Sequence, residues 1–210
     1  MVVLKKIGKV FAWFLVVIFA AFAILVVVRM FHFSNLKKTA TMVEKIHATK
    51  LSLDDVMGKN LPPDPGAEAD KTVAGIDANK NGIRDDVELA IFKEYPKSAK
   101  TRAVLLQYAL ALQMEAMQTV VNEETVTEVV REQSRADSCV SDSLVPRKSP
   151  ESSRSYVDIE KIDTFINFVK ERQLNTDLRK MARKNFIEKI GSYSESENKV
   201  CDIDISKLSN

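Results

Sequence analysis

VFAWFLVVIFAAFAILVVV, residues 10–28, is a run of 19 hydrophobic residues near the start of the chain. As an α-helix rising about 1.5 Å per residue it would cover roughly 28 Å, close to the thickness of the hydrocarbon core of a bilayer. Trp13 lies near one end of the run, and Phe31, His32 and Phe33 follow the other end. Residues of these types are common where a membrane meets water. The run therefore predicts a transmembrane helix.

Two alternatives to an uncleaved anchor are a buried core helix and a cleaved signal peptide. A core helix seldom contains so long an apolar run. The apolar region of a signal peptide has about 7–15 residues and is followed by small residues at the cleavage site. Here the bulky sequence RMFH follows, at residues 29–32. The pattern favours an anchor that stays attached.

The charges are distributed unevenly along the chain. Of its 31 Lys and Arg residues, six fall within residues 1–38, where none of the 29 Asp and Glu residues occurs, so the rest carries a formal charge of −4. A mildly acidic domain gives no reason to expect nucleic acid as a partner. The short basic N-terminal tail favours a cytoplasmic N-terminus. We therefore expect a single-pass protein of a bacterial inner membrane, with its C-terminal domain in the periplasm or outside the cell.

The remaining sequence predicts an all-α soluble domain, without strand-like alternation. We expect a cytoplasmic stub and anchor in residues 1–38, a stalk and Pro-rich linker in residues 39–66, and the helical domain in residues 67–210. The linker ends with LPPDPG, residues 61–66, whose three prolines stop a helix. Apolar residues at helical spacing predict the helices of the domain: residues 85–95, 98–118, 122–140, 156–173 and 176–190. Within the last two helices, the expected core positions include Ile159, Ile166, Leu178, Met181 and Phe186.

The one motif with specific chemistry is DANKNGIRDDVE, residues 77–88. Calcium takes six to eight oxygen ligands, so a single loop can surround it only if the backbone turns sharply. Gly82 permits the positive φ that such a turn needs. The expected ligands are the side chains of Asp77, Asn79, Asn81, Asp85 and Glu88 and the backbone carbonyl of Ile83.

This segment resembles EF-hand-type calcium loops, most nearly the variety D-x-[DN]-x-[DN]-G-[ILV]-x-D-x-x-[DE] of thrombospondin type 3 repeats and many bacterial secreted proteins. Residues 77–88 fill every position of that pattern. The resemblance implies a calcium site rather than a whole fold. The alternative is an Asx-rich turn that caps a helix beginning at Asp85. Two ligands are neutral amides, and Lys80 and Arg84 add positive charge, so we expect a dissociation constant of about 10⁻⁵ to 10⁻³ M.

The remaining candidate residues are few. Cys139 and Cys201 lack metal-ligand spacing and predict a disulfide in an oxidising compartment, or else two free thiols in the cytosol. The two histidines, His32 and His47, lie at the membrane boundary and on the expected stalk, so they do not form a site. The sequence contains no G-x-S-x-G, H-E-x-x-H, C-x-x-C or Gly-rich phosphate loop, so no motif supports an enzyme.

Together these features predict a membrane-anchored extracytoplasmic calcium-binding protein that acts as a binding or scaffolding module. Its expected partners are the membrane and a protein that the sequence does not identify. Two alternatives stay open: a calcium-responsive regulator of an envelope partner, and an envelope hydrolase without a recognisable motif.

Overall fold

The computed structural model describes residues 2–149, 152–194 and 199–210, with side chains from residue 13 onward. Within these ranges every regular element is helical, which confirms the predicted all-α class. The helices are α1 (Val2–Ala48), α2 (Leu53–Val56), α3 (Asp85–Glu94), α4 (Ala99–Met117), α5 (Glu123–Leu144), α6 (Tyr156–Gln173) and α7 (Asp177–Ile187), with short 3-10 helices at Gly66–Asp70 and Ile205–Lys207.

Helix α1 contains the apolar run and is long and apolar enough to cross a membrane. From Trp13 to Phe33 its large apolar side chains are exposed, and none of them packs against the rest of the protein. Such a surface is unfavourable in water, so it requires an apolar environment. An N-terminal signal sequence would satisfy the same length and composition, and the side of the membrane does not follow from the fold.

The second half of α1 belongs to the helical domain. Residues 39–66, expected as stalk and linker, contribute Ile46, Leu51 and Val56 to the same buried core as the later helices. Helix α1 packs against α5 in this region. The apolar run therefore continues into the domain as one uninterrupted helix, whose first buried residue, among the side chains described, is Thr39.

Helix α4 is the centre of the fold. It contacts α2, α3, α5, α6 and α7, and nearly every residue from Ala99 to Glu115 is buried. A helix that is covered on all sides needs apolar residues on all faces rather than on one stripe. The run of Ala, Val and Leu along α4 meets that need, and it places the other helices around α4.

The helix boundaries follow local capping chemistry. The side chains of Ser98, Asn122, Ser155 and Thr176 each accept a hydrogen bond from a backbone N–H in the first turn of α4, α5, α6 and α7. Such caps satisfy backbone donors that have no partner within the helix. The predicted helix at residues 156–173 is confirmed at both ends.

The prediction of buried residues in the last two helices is partly wrong. Ile166 and Phe186 are buried, but Ile159, Leu178 and Met181 are exposed. The side chain that α7 buries beside Leu178 is instead Arg179, which is 1% exposed. Helix α7 packs against α4 on the side that carries Arg179 and Phe186, so its apolar Leu178 and Met181 face solvent.

The predicted disulfide is present. Cys139 of α5 is bonded to Cys201 of the C-terminal tail, with their Cα atoms 5.1 Å apart. Cys139 is fully buried. The bond attaches the C-terminal tail to the buried face of α5.

Candidate metal centre

Residues 77–88 form a compact loop that leads directly into α3. The carboxylate of Asp77 accepts hydrogen bonds from the backbone N–H groups of Asn81 at 3.2 Å and Gly82 at 3.0 Å. Lys80 and Gly82 have positive φ values of 59° and 86°, so the chain turns sharply back on itself. A side chain at Gly82 would lie within 2.7 Å of Leu110 of α4, so glycine also permits the loop to pack closely on the central helix.

Glu88, the last residue of the loop, lies in the first turn of α3 and points back into the loop. Its Oε2 atom accepts hydrogen bonds from the side-chain amides of Asn79 at 3.0 Å and Asn81 at 3.1 Å. The residue is 1% exposed. Burial raises the pKa of Glu88 to about 7, against the opposing effect of the two amides, and the nearby charges of Asp55 and Asp85 raise it further. The carboxylate is therefore buried beside other acids, and no basic side chain of the described residues forms an ion pair with it.

Asp85 is buried at the start of α3. Both its carboxylate oxygens accept a hydrogen bond from the backbone N–H of Ala78, at 3.0 and 3.2 Å. Burial raises the pKa of Asp85, and the neighbouring carboxylates of Asp77 and Asp86 act in the same direction. The loop thus concentrates negative charge that would be more stable with a cation nearby.

Arg84 does not add positive charge to the loop, contrary to the sequence interpretation. Its side chain is fully buried and turns toward the end of α6, where it donates to the backbone carbonyl of Gln173 at 3.1 Å. It also forms an ion pair with Asp86. Of the two expected cations only the exposed Lys80 remains near the loop, because the charge of Arg84 is already paired.

The donor set suits calcium by its chemistry. Three carboxylates and two amides belong to one short loop, at Asp77, Asn79, Asn81, Asp85 and Glu88, and the buried side chain of Ile83 fixes the backbone that carries the expected carbonyl ligand. All of these donors are oxygens, which calcium prefers. In the present arrangement the amide nitrogens of the two Asn residues face Glu88, so both amides would have to turn to offer their oxygens. Among the described residues, no three His, Cys, Asp or Glu side chains lie close enough together to hold a metal ion.

A groove of about 550 Å³ lies beside the loop. One wall is the loop itself, from Asp77 to Gly82, and the others are the end of α1 near Lys45 and the α4 residues from Leu110 to Gln118. The sequence did not predict this groove, because its walls come from three distant segments. No spacing within any one of these segments indicates that they meet.

No match to the chain was found among family models, curated proteins or solved structures.

Proposed function

We propose that the chain is a membrane-anchored binding or scaffolding module whose loop at residues 77–88 holds calcium as a structural ion. The observation that carries the proposal is the buried carboxylate of Glu88, which lies among other acids. An Asx-rich turn would account for the hydrogen bonds to Asp77, but it does not require a carboxylate at Glu88. Burying a carboxylate without an oppositely charged partner is costly, and a cation that the carboxylate oxygens coordinate lowers that cost.

Calcium should stabilise the full chain in detergent micelles at pH 8, where Glu88 is ionised. At free calcium of about 100 times the dissociation constant, the expected gain is roughly 2.7 kcal/mol. This corresponds to a rise of about 5–10 °C in the unfolding midpoint of a domain of this size. Magnesium should give a much smaller rise, because it demands a tighter octahedral shell. The full chain is required because Ile46, Leu51 and Val56 belong to the core.

The matched variants are Glu88→Gln and Glu94→Gln, which remove the same charge from the same helix. Glu94 is exposed and lies outside the loop. Glu88→Gln should abolish the calcium-dependent rise while leaving the calcium-free chain at least as stable, since it removes a buried charge. Glu94→Gln should respond to calcium as the wild type does. A wild-type midpoint that stays unchanged at free calcium of about 100 times the upper expected dissociation constant would mean that the loop is only a turn.

The proposed location is outside the cytosol, with the N-terminus inside. The disulfide between Cys139 and Cys201 supports this side, because disulfides persist in oxidising compartments and are rare in the cytosol. The basic residues that precede the apolar run favour the same orientation. The weak affinity expected of the loop also suits an extracellular calcium concentration rather than a cytosolic one.

Reporter fusions after Asn210 test this orientation in a bacterial host. A reporter enzyme that is active only in the periplasm should be active when fused there, and a reporter that is active only in the cytosol should be inactive. The control is the same pair of reporters fused to a chain with residues 1–33 deleted, which should reverse both results. Cytosolic activity of the full-length fusion would contradict the proposed side.

The groove beside the loop favours a second candidate function, a calcium-responsive regulator. Asp77, Asn79 and Asn81 line this groove and are also candidate ligands. An ion that turns the two amides inward would change the groove wall, and with it the affinity for a protein partner. This function requires a calcium-dependent change in groove shape, whereas a structural ion mainly raises stability.

A further inference from the structure

The turn between α4 and α5 is fastened to α1 just beyond the apolar run. The side-chain amide of Asn122 donates to the hydroxyl of Thr39 at 2.8 Å, and that of Gln118 donates to the sulfur of Met42 at 2.7 Å. Thr39 is buried by this packing. Because α1 is continuous, these contacts hold the turn at a fixed height along the anchor.

The contact at Thr39 lies about 9 Å beyond Phe33 along the helix, just past the level of the lipid headgroups. From Trp13 to Phe33 the helix covers about 30 Å, which matches a hydrocarbon core. The side chain of Arg29 extends along α1 toward Phe33, and its guanidinium lies 5.5 Å from the centre of that ring. A snorkelling arginine extends toward the membrane surface in the same way. Lys37 lies about 6 Å beyond Phe33 along the helix, within a headgroup layer about 5–7 Å thick.

A cleft of about 420 Å³ lies at this level, between α1 and the turn. Its walls include Lys37, Lys38 and Met42 of α1 and Thr119 and Val121 of the turn. No acidic residue lines it among the described residues, and the first acid in the whole sequence is Glu44. The cleft thus combines a mainly apolar surface with two lysines at consecutive positions of α1.

We propose that this cleft binds an anionic phospholipid. Lys37 and Lys38 would pair with the headgroup phosphate, and the apolar surface around Val121 would cover the glycerol and the upper acyl chain. The rest of the domain is mildly acidic and would repel anionic lipids. Lys37 and Lys38 would therefore confine the attraction for such lipids to the cleft. The binding would hold the domain in one orientation on the membrane, and it does not depend on calcium in the loop.

Native mass spectrometry of the full chain in detergent tests this proposal, with equal amounts of phosphatidylglycerol and phosphatidylcholine added. The wild type should retain phosphatidylglycerol in preference. Each lysine near an anionic lipid changes binding by about fivefold, so Lys37→Gln with Lys38→Gln should lower the preference by about 25-fold at low salt. The matched control, Lys93→Gln with Lys97→Gln, makes the same charge change on exposed residues outside the cleft and should keep the preference.

A second variant changes the cleft without removing a lysine. Val121→Asp introduces a negative charge among the lining residues and should also lower retention of phosphatidylglycerol, with the helical circular dichroism unchanged. Equal retention of the two lipids by the wild type would overturn the proposal. An equal loss of preference in the Lys93 and Lys97 control would overturn it as well, because the effect would then be one of net charge alone.

Discussion

Replacing both Cys139 and Cys201 with alanine should lower the free energy of unfolding of the domain by about 4 kcal/mol in the chain-entropy model. The bond closes a loop with a sequence separation of 62, so the oxidised unfolded chain has far less conformational freedom than the reduced one. The expected fall in the unfolding midpoint is about 8–16 °C for a domain of this size. Thermal unfolding of the full chain in detergent, followed by circular dichroism, measures it.

The native tail should stay in place without the disulfide. The side chain of Gln107 bonds to the backbone of Val200 and of Asp202, each at 2.9 Å, and Arg135 pairs with Asp202 at 2.6 Å. The effect should therefore come mainly from the unfolded state. A reductant should lower the wild-type midpoint by a similar amount and leave the alanine variant unchanged. A reduced wild type that unfolds at the oxidised midpoint would refute this account.

Arg179→Met should lower the free energy of unfolding by about 3–4 kcal/mol. The guanidinium of Arg179 is almost fully buried and binds several backbone carbonyls of residues 69–73, which precede the loop at residues 77–88. It donates to the carbonyls of Val73 at 3.2 Å and Thr72 at 3.0 Å, to that of Ala69, and to the carboxylate of Asp70 at 2.7 Å. Methionine fills a similar volume but leaves these acceptors without a donor. Chemical denaturation of the full chain measures the loss.

The matched control is Arg154→Met. Arg154 also forms an ion pair, with the exposed Asp142 at 2.6 Å, but among the described residues it donates to a single carbonyl, that of Val145 at 3.4 Å. Such pairs contribute about 0–1 kcal/mol, because water solvates the partner that remains. Arg179→Lys should lie between the two, since it keeps the charge but cannot reach several carbonyls at once. Equal losses for Arg179→Met and Arg154→Met would show that the burial of Arg179 does not matter.

The sequence determined the features that depend on neighbouring residues. The unbroken apolar run in α1, the caps of α4 to α7 and the turn at Gly82 each follow from chemistry within one or two helical turns. The identity of the partners in a disulfide also followed from the sequence, because no other cysteine competes with Cys139 and Cys201, although the bond itself is shown only by the structure. Features that depend on neighbouring residues form largely independently of the tertiary contacts, so they could be interpreted without knowledge of the fold.

The tertiary structure alone decided which surfaces are covered. It buried Arg84 against the end of α6. It also buried Arg179 and exposed Leu178 and Met181, because α7 meets α4 and the loop at residues 69–73 through one face only. It also placed Glu88 near Asp55 of a distant segment, built the groove beside the loop, and joined the turn between α4 and α5 to α1. Each of these outcomes depends on contacts between residues tens of positions apart. Helical periodicity describes the face of one helix, and it carries no information on which distant segment covers that face.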